Sequence, residues 1–488
     1  MATTSWTRSR RSARALGVAL TIGAAACALN PATGKRQLSL ISEAQEIQMG
    51  REAAQSVGAT VGLVDSQALQ TYVQGIGRSE AVASERPKLP WEFHVVDDPS
   101  PNAFALPGGF IYVTRGLLGL MTSEAELAGV LGHEIGHVTA RHSVNQISKQ
   151  QLAQLGLGLG SVFLPEAAPL GSLLGSGLQL LFLKYGRDDE READVLGFEY
   201  MRKRGYDVRE FDDVFAALDR IGDQEGGALP AWLSTHPEPA ERVKNAEARI
   251  AAVGPQPNAR IGEEDYLNQI DGLVYGNDPR QGFFRGARFF HPKLRFQLLF
   301  PEGWQTQNLS QAVVAVAPEN RAAIQVTIAG DVRPEVALER FFSQPGVAAG
   351  RVVRDQVHGQ PAAIGEFQAQ TDGGVVQGLA AYVSYGGLTY QLIGYTAAAS
   401  YSSYGTPIES TIRSFDSVND PAILNVEPQR IDIVKVPSAM TVSEFAQKYS
   451  SASAVPPRTL AIINGLPSAD SRFTAGALAK RVVGSSSL

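Results

Sequence analysis

The sequence predicts a multidomain α+β chain, and three observations carry that prediction. Between residues 43 and 250 apolar side chains recur mostly at helical spacing, interrupted by short β-rich runs at 91–96 and 110–114. Val253-Gly254-Pro255-Gln256-Pro257-Asn258 is a break rich in Pro and Gly, beyond which short β-rich runs take over. The last segment, about 430–488, reads strand, helix, helix, strand. With 488 residues the chain has room for about two to four domains, each with its own core. The predicted divisions are a leader over 1–26, a helical domain with a small sheet over 27–253, a linker over 254–284, an α/β domain over 285–420 and a small βααβ module over 430–488.

The leader reads as a secretory signal peptide. Arg8, Arg10, Arg11 and Arg14 form a positive start without an acidic residue, and residues 16–26 are a short apolar run, too short for a membrane span. Cys27 follows at the place where a bacterial lipoprotein is cut and acylated, which predicts a lipid anchor to the outer membrane. Ala24 stands where a lipobox usually has Leu, and Ala24-Ala25-Ala26 equally suits an ordinary signal peptidase. Cys27 is the one cysteine, so an intramolecular disulfide framework and a Cys-rich zinc ribbon are excluded. With 43 Lys+Arg against 49 Asp+Glu, the net charge of −6 argues against a nucleic-acid partner.

Beyond the break, strands are expected at 294–300, 312–317, 322–328, 378–385 and 388–395, with helices at 336–342 and 404–412 packed on their sheet. Residues 152–183 hold a single charge, Glu166, and are heavy in Leu and Gly. Pro165 and Pro169 divide them into pieces shorter than a bilayer needs. Buried helices beside the site and a mobile or membrane-touching flap are both compatible with that pattern.

The chemistry is concentrated in His133-Glu134-Ile135-Gly136-His137. Ser123 with Glu126 three residues later predicts a capping box, and Leu127, Leu131, Ile135 and Val138 predict the core-facing stripe of the helix. His133 and His137 then lie one turn apart on a common face and can bind one metal, with Glu134 at the neighbouring edge. His142 falls too far round a continuous helix to join them. In Asp189-Glu190-Arg191-Glu192-Ala193-Asp194, Glu190 and Asp194 share a face and Glu192 points away. Glu190 is therefore the expected third ligand and Asp194 the partner of a ligand imidazole's other N–H. Ser234-Thr235-His236-Pro237, followed by Arg242, supplies a further histidine. It can donate to an oxyanion, occupy the open metal position as a latch, or serve packing alone.

HEIGH, EREAD and STHP with an arginine six residues after its histidine resemble the zinc metallopeptidase family of CaaX prenyl proteases and HtpX. The soluble branch, with the periplasmic BepA-like proteins and the mitochondrial inner-membrane quality-control peptidase, is the more similar. The resemblance covers about 28–253. It implies a mainly helical zincin protease domain with one Zn2+ held by His133, His137 and Glu190, Glu134 as catalyst, and unfolded or misassembled polypeptides as substrates. Asn102-Ala103-Phe104-Ala105 and the following Leu106-Pro107-Gly108-Gly109-Phe110 resemble the family's active-site hairpin. Its free strand edge can take up an extended peptide through main-chain hydrogen bonds. Phe104 is read as packing.

Residues 296–304 and the later Gly-Leu-Thr-Tyr strand resemble PsbP/Mog1-like α/β domains, which implies a recognition module. His291 and His358 there read as ordinary loop residues. Residues 430–488 are similar to a LysM module, implying peptidoglycan or a protein as partner. The usual Gly-Asp-Thr turn is replaced by Ser438-Ala439-Met440-Thr441.

Overall fold

A computed structural model describes residues 27–154, 184–211, 213–224, 232, 236, 239–309, 311–371, 374–449 and 455–484. The predicted leader lies outside them, as do Ser234, Thr235, Pro237 and the 152–183 stretch beyond Gln154. Among the described residues no helix is long and apolar enough to cross a membrane.

The chain divides into two units. The first runs to Tyr275 and takes in Ile431–Ser450 and Val455–Val482. It opens with an antiparallel hairpin of β1 (Cys27–Leu29) and β2 (Arg36–Leu38). Helix α1 (Glu43–Thr60) follows, closed at its start by a reciprocal Ser42–Gln45 capping box. Next comes α2 (Gln67–Ala81), capped by Ser66. Strands β3 (Glu92–Val96), β4 (Ala103–Leu106) and β5 (Phe110–Thr114) make a sheet in the order β3-β5-β4, with β3 parallel and β4 antiparallel to β5. The turn between β4 and β5 needs positive φ at Gly108 and Gly109 (82° and 107°), and a methyl on Gly108 would fall 2.6 Å from the Ile47 Cα. Helices α3 (Arg115–Leu120), α4 (Glu124–Thr139), α5 (His142–Gln154), α6 (Arg187–Lys203), α7 (Asp213–Gln224), α8 (Pro239–Val253) and α9 (Glu263–Ile270) complete this part.

Two expectations change here. The segment read as a linker over 254–284 contains α9, which buries Tyr266, Leu267 and Ile270 in the core of the first unit. The Pro- and Gly-rich break is a turn, with Gly254 at φ 74°, and the unit boundary lies at Tyr275. The end of the chain also joins the first unit: Phe445, Leu460, Ile463 and Val482 belong to the same apolar cluster as Leu117, Met121 and Leu127.

The second unit is built on Gly276–Arg430. One sheet has β6 (Phe283–Arg285), β7 (Arg288–His291) and β8 (Phe296–Leu299) beside β16 (Asp416–Ser417). The larger sheet has seven antiparallel strands in the order β12-β13-β14-β15-β11-β10-β9. These are β9 (Gln305–Asn308), β10 (Val313–Val316), β11 (Ala322–Gly330), β12 (Val347–Val357), β13 (Gln360–Thr371), β14 (Gly374–Tyr385) and β15 (Leu388–Ala397). Helices α10 (Pro334–Phe342) and α11 (Tyr401–Arg413) pack their Leu338, Phe341, Ile408 and Ile412 into its two cores. The hairpin β12–β13 was not expected. The C-terminal segment has the anticipated order, with β17 (Arg430–Lys435), α13 (Val442–Tyr449), α14 (Pro457–Ile463) and β20 (Leu478–Val483), after the short α12 (Pro421–Leu424). A short pair, β18 (Met440–Thr441) and β19 (Arg472–Phe473), was not foreseen.

Candidate metal centre

Helix α4 starts at Ser123, whose hydroxyl accepts the Glu126 amide at 3.1 Å. The other half of the expected capping box is not made. Glu126 turns instead to the Thr122 amide at 3.0 Å and the Thr122 hydroxyl. Nor is the helix held by a single stripe, since every residue from Glu124 to Thr139 is buried. Its closest approach to α6 is made by small residues. A methyl on Gly197 would fall 2.6 Å from the His133 amide nitrogen, and one on Gly136 would fall 2.9 Å from the Ala193 carbonyl. Without those side chains the two backbones touch, and Glu190 and Asp194 come up beside His133 and His137.

The result is a buried nest of donors. His133 Nε2 lies 3.0 Å from His137 Nε2, and the Glu190 carboxylate oxygens lie 3.6 Å from the first and 3.5 Å from the second. His236 Nδ1 closes the figure, 3.3 Å from His133 Nε2 and 3.0 Å from Glu190 Oε1. Tetrahedral zinc with bonds near 2.0–2.1 Å sets its ligands about 3.3 Å apart. Burial, helped by the Arg242 charge, brings His133 down to about 4. Burial and the neighbouring histidines hold His137 well below the ordinary imidazole range. Both rings are thus neutral with a lone pair to give. Burial raises the Glu190 carboxyl, but His236, His133 and Arg242 together outweigh it and keep the group ionised. Glu134 is fully buried, and among the described residues neither of its oxygens has a hydrogen-bond partner; His236 Nε2 stands 3.7 Å away. Two neutral imidazoles, one carboxylate and an unpartnered carboxyl beside them fit one zinc ion.

Asp194 Oδ1 lies 3.0 Å from His133 Nδ1, on the side of the ring away from the nest. Arg242 grips Asp194 with two contacts, 3.0 Å from Nε and 2.7 Å from Nη2, and reaches Glu190 at 3.3 Å. Its guanidinium lies 4.1 Å from the Phe215 ring centre. The His236 amide donates to Trp232 O at 2.8 Å, and the Trp232 amide donates to Pro101 O at 3.3 Å, just before β4.

In the hairpin, Ala103, Phe104 and Ala105 pair with β5 alone among the described residues, so β4 is an edge of its three-stranded sheet there. Asn102 is tied to Thr114 through its backbone, and the Phe104 ring stacks on Tyr112 with centres 5.0 Å apart.

Three residues escaped the sequence reading. His142 is not on the α4 helix at all: Arg141, at φ 61°, breaks the chain and starts α5. This turns His142 Nδ1 to within 3.0 Å of His137 Nδ1, and Glu192, expected to point away, receives His142 Nε2 at 2.9 Å. Tyr185 stacks on His137 with ring centres 4.1 Å apart and bonds Ser143 through its hydroxyl. Neither Gly nor Pro announces the break at Arg141, so a helical wheel was bound to misplace His142.

Residues 67–250 match the model of peptidase family M48. The chain is 30% identical over 250 residues to the beta-barrel assembly-enhancing protease of Yersinia pestis, covering 49% of this chain and 50% of that one. It is 32% identical over 221 residues to the mitochondrial metalloendopeptidase OMA1 of Schizosaccharomyces pombe, covering 44% and 64%. The chain thus spans about half to two thirds of the length of these relatives. Among solved structures, cyanobacterial PsbP from Synechocystis gives a TM-score of 0.24 at 16% identity, covering 28% of this chain and 94% of that one. The match runs through both the HEIGH helix and the helix that carries Glu190, and residues 67–250 form an HExxH zinc metallopeptidase domain of peptidase family M48, similar to the beta-barrel assembly-enhancing proteases.

Proposed function

We propose that the chain is an exported zinc endopeptidase of the bacterial envelope that hydrolyses peptide bonds in misfolded or misassembled proteins. The observation that carries this reading is Glu134: a buried carboxyl without a hydrogen-bond partner among the described residues, beside two neutral imidazoles and Glu190. His133, His137 and Glu190 are the zinc ligands in this reading, with Asp194 and Arg242 fixing His133 and Glu190. Bound zinc supplies Lewis-acid polarisation of the scissile carbonyl and acidifies the attacking water. Glu134, which burial brings up to about 7, takes the proton of that water and returns it to the leaving amine.

The free edge of β4, with Asn102, Ala103, Phe104 and Ala105, lets an extended substrate add as a strand. Such capture depends little on side chains and suits unfolded clients. Export follows from the arginine-led leader, and acylation of Cys27 would hold the enzyme at the outer membrane. The α/β domain then serves client recognition, and the C-terminal segment contacts peptidoglycan or a protein partner.

A second reading is favoured by one contact. His236 presents Nδ1 to the ligand nest at 3.3 Å from His133 Nε2, where a fourth ligand belongs. His236 then acts as a latch that must leave before a substrate can enter.

The test of the hydrolytic reading is Glu134→Gln in the full mature chain. The variant should hold one zinc per chain and lose casein cleavage by about 10²–10⁴-fold. Cleavage by the zinc-loaded variant at the parent rate would overturn the assignment.

A further inference from the structure

The contacts behind His137 form a relay that the hydrolytic machinery does not itself contain. A zinc-binding imidazole commonly donates its second N–H to a carboxylate, carbonyl or water, which fixes both ring orientation and tautomer. His133 follows that pattern with Asp194. His137 does not. Its Nδ1 faces His142 Nδ1 at 3.0 Å, and His142 Nε2 in turn faces Glu192 Oε2 at 2.9 Å. One assignment of protons satisfies the whole chain. Glu192 accepts from His142 Nε2–H, His142 Nδ1 accepts from His137 Nδ1–H, and His137 Nε2 keeps its lone pair for the nest.

Two further features show that this geometry is held in place. Arg141 adopts a left-handed conformation at φ 61°, unfavourable for a residue with a side chain. It is pinned by its guanidinium to Glu46 at 2.8 Å and to the Ile41 carbonyl at 2.8 Å. At the far end, Glu192 is gripped by the N-terminal hairpin. Asn30, itself buried, donates its amide to Glu192 Oε2 at 3.0 Å, and Thr33 adds a side-chain bond.

We propose that His142, backed by Glu192, is a positioning residue that fixes the tautomer and angle of the zinc ligand His137, and that Asn30 makes the segment next to Cys27 part of the same support. This rests on the zinc endopeptidase reading. It adds that the three residues after Cys27 lead directly into the outer support of the metal site. The N-terminal hairpin is then a working part of the enzyme, and trimming it loosens the metal.

The test reads zinc binding rather than turnover. In a Glu134→Gln background, zinc affinity is measured by competition with a chromogenic chelator, and thermal midpoints of the metal-free proteins report folding. Nitrogen-15 shifts of the His137 ring in the zinc-loaded protein report its tautomer. His142→Ala and Glu192→Gln should each weaken zinc by about 10–100-fold, and Asn30→Ala should weaken it less. His142→Gln should recover most of the affinity, because its carboxamide can accept from His137 and donate to Glu192. If His142→Ala does not fold, Glu192→Gln and Asn30→Ala carry the measurement. Zinc affinity equal to the parent in the folded variants overturns the relay, as does His142→Gln binding as weakly as His142→Ala. Failure of the Glu134→Gln parent to bind zinc would instead overturn the metal reading itself.

Discussion

His236 Nδ1 lies 3.0 Å from Glu190 Oε1, while the other ring nitrogen is 3.7 Å from Glu134. The imidazole therefore presents one nitrogen to a ligand carboxylate and the other towards the general base. A group in that position obstructs the site before it can assist it. His236→Ala should raise cleavage of an unfolded protein by about tenfold if the released form is a tenth of the population. A loss of about 10²–10³-fold in kcat would reassign His236 to stabilising the oxyanion.

The ion pair between Arg242 and Asp194 is predicted to tolerate no substitution by lysine. Arg242 makes two contacts to Asp194, a third to Glu190 and a stack on Phe215. A lysine has one ammonium and no plane, so it can replace at most one of these. Arg242→Lys keeps the charge but should lose about 1.5–3 kcal/mol of stability for each charge-assisted hydrogen bond it cannot replace. It should also release zinc faster, through the His133 ring that Asp194 holds. Urea unfolding of the metal-free protein and chelator competition measure the two effects separately. An unchanged urea midpoint would remove Arg242 from the support of the site.

What the sequence made legible follows from how local each signal is. One-turn spacing puts His133 with His137 and Glu190 with Asp194 on common faces, and the structure brings these groups together; His236 was singled out from the Ser-Thr-His-Pro run, which spacing does not reach. The Gly197–His133 contact was not legible, because a glycine in a helix gives no sign of which backbone it will touch. His142 differs for a sharper reason: its angle on a continuous helix does not hold, because Arg141 interrupts that helix at φ 61°. In the second unit the β12–β13 hairpin went unseen because its two-residue turn is His358-Gly359, both at positive φ, and histidine is an unusual choice there. The helix at Glu263–Ile270 was lost under the punctuation of the Pro- and Gly-rich turn before it.

Glu80 predicts a pH dependence of stability that is separate from catalysis. It is fully buried on α2, neither oxygen has a hydrogen-bond partner among the described residues, and burial raises its carboxyl well above the ordinary value of 4.5, with Arg204 opposing. A raised acid binds more protons folded than unfolded, so its contribution is complete below pH 4.5 and is lost as pH climbs towards the folded value. Every tenfold difference in proton affinity between the folded and unfolded chain is worth about 1.4 kcal/mol. Glu80→Gln, which cannot ionise, should gain stability relative to the parent between pH 5 and pH 8, read from urea midpoints at both. A constant difference across that interval would show that Glu80 is not protonated in the fold.

The C-terminal segment is tied to the start of the helix that carries the HEIGH motif. Lys480, fully buried on β20, donates to the carbonyls of Gly119, Leu120 and Met121 at 3.1, 3.3 and 2.6 Å. These are the last carbonyls of α3 and the residue after it, which no further helical turn satisfies. The opposite charge acting on Lys480 is Glu126, in the first turn of α4. Burial pushes the lysine below and the glutamate above their ordinary values, and each charge pulls the other back towards the ionised form. Lys480→Met keeps the apolar stem and removes the three donors, so it should cost about 3–5 kcal/mol, the scale for breaking a buried charged partnership. Adding Glu126→Gln should restore part of that loss, since it removes the acid left facing no cation, and a double-mutant cycle isolates the coupling. Because α4 carries His133, Glu134 and His137, Lys480→Met should lower peptidase activity although the segment contributes no residue to the nest. Additive single-variant costs and undiminished activity would make the segment a separate module that merely rests on the peptidase domain.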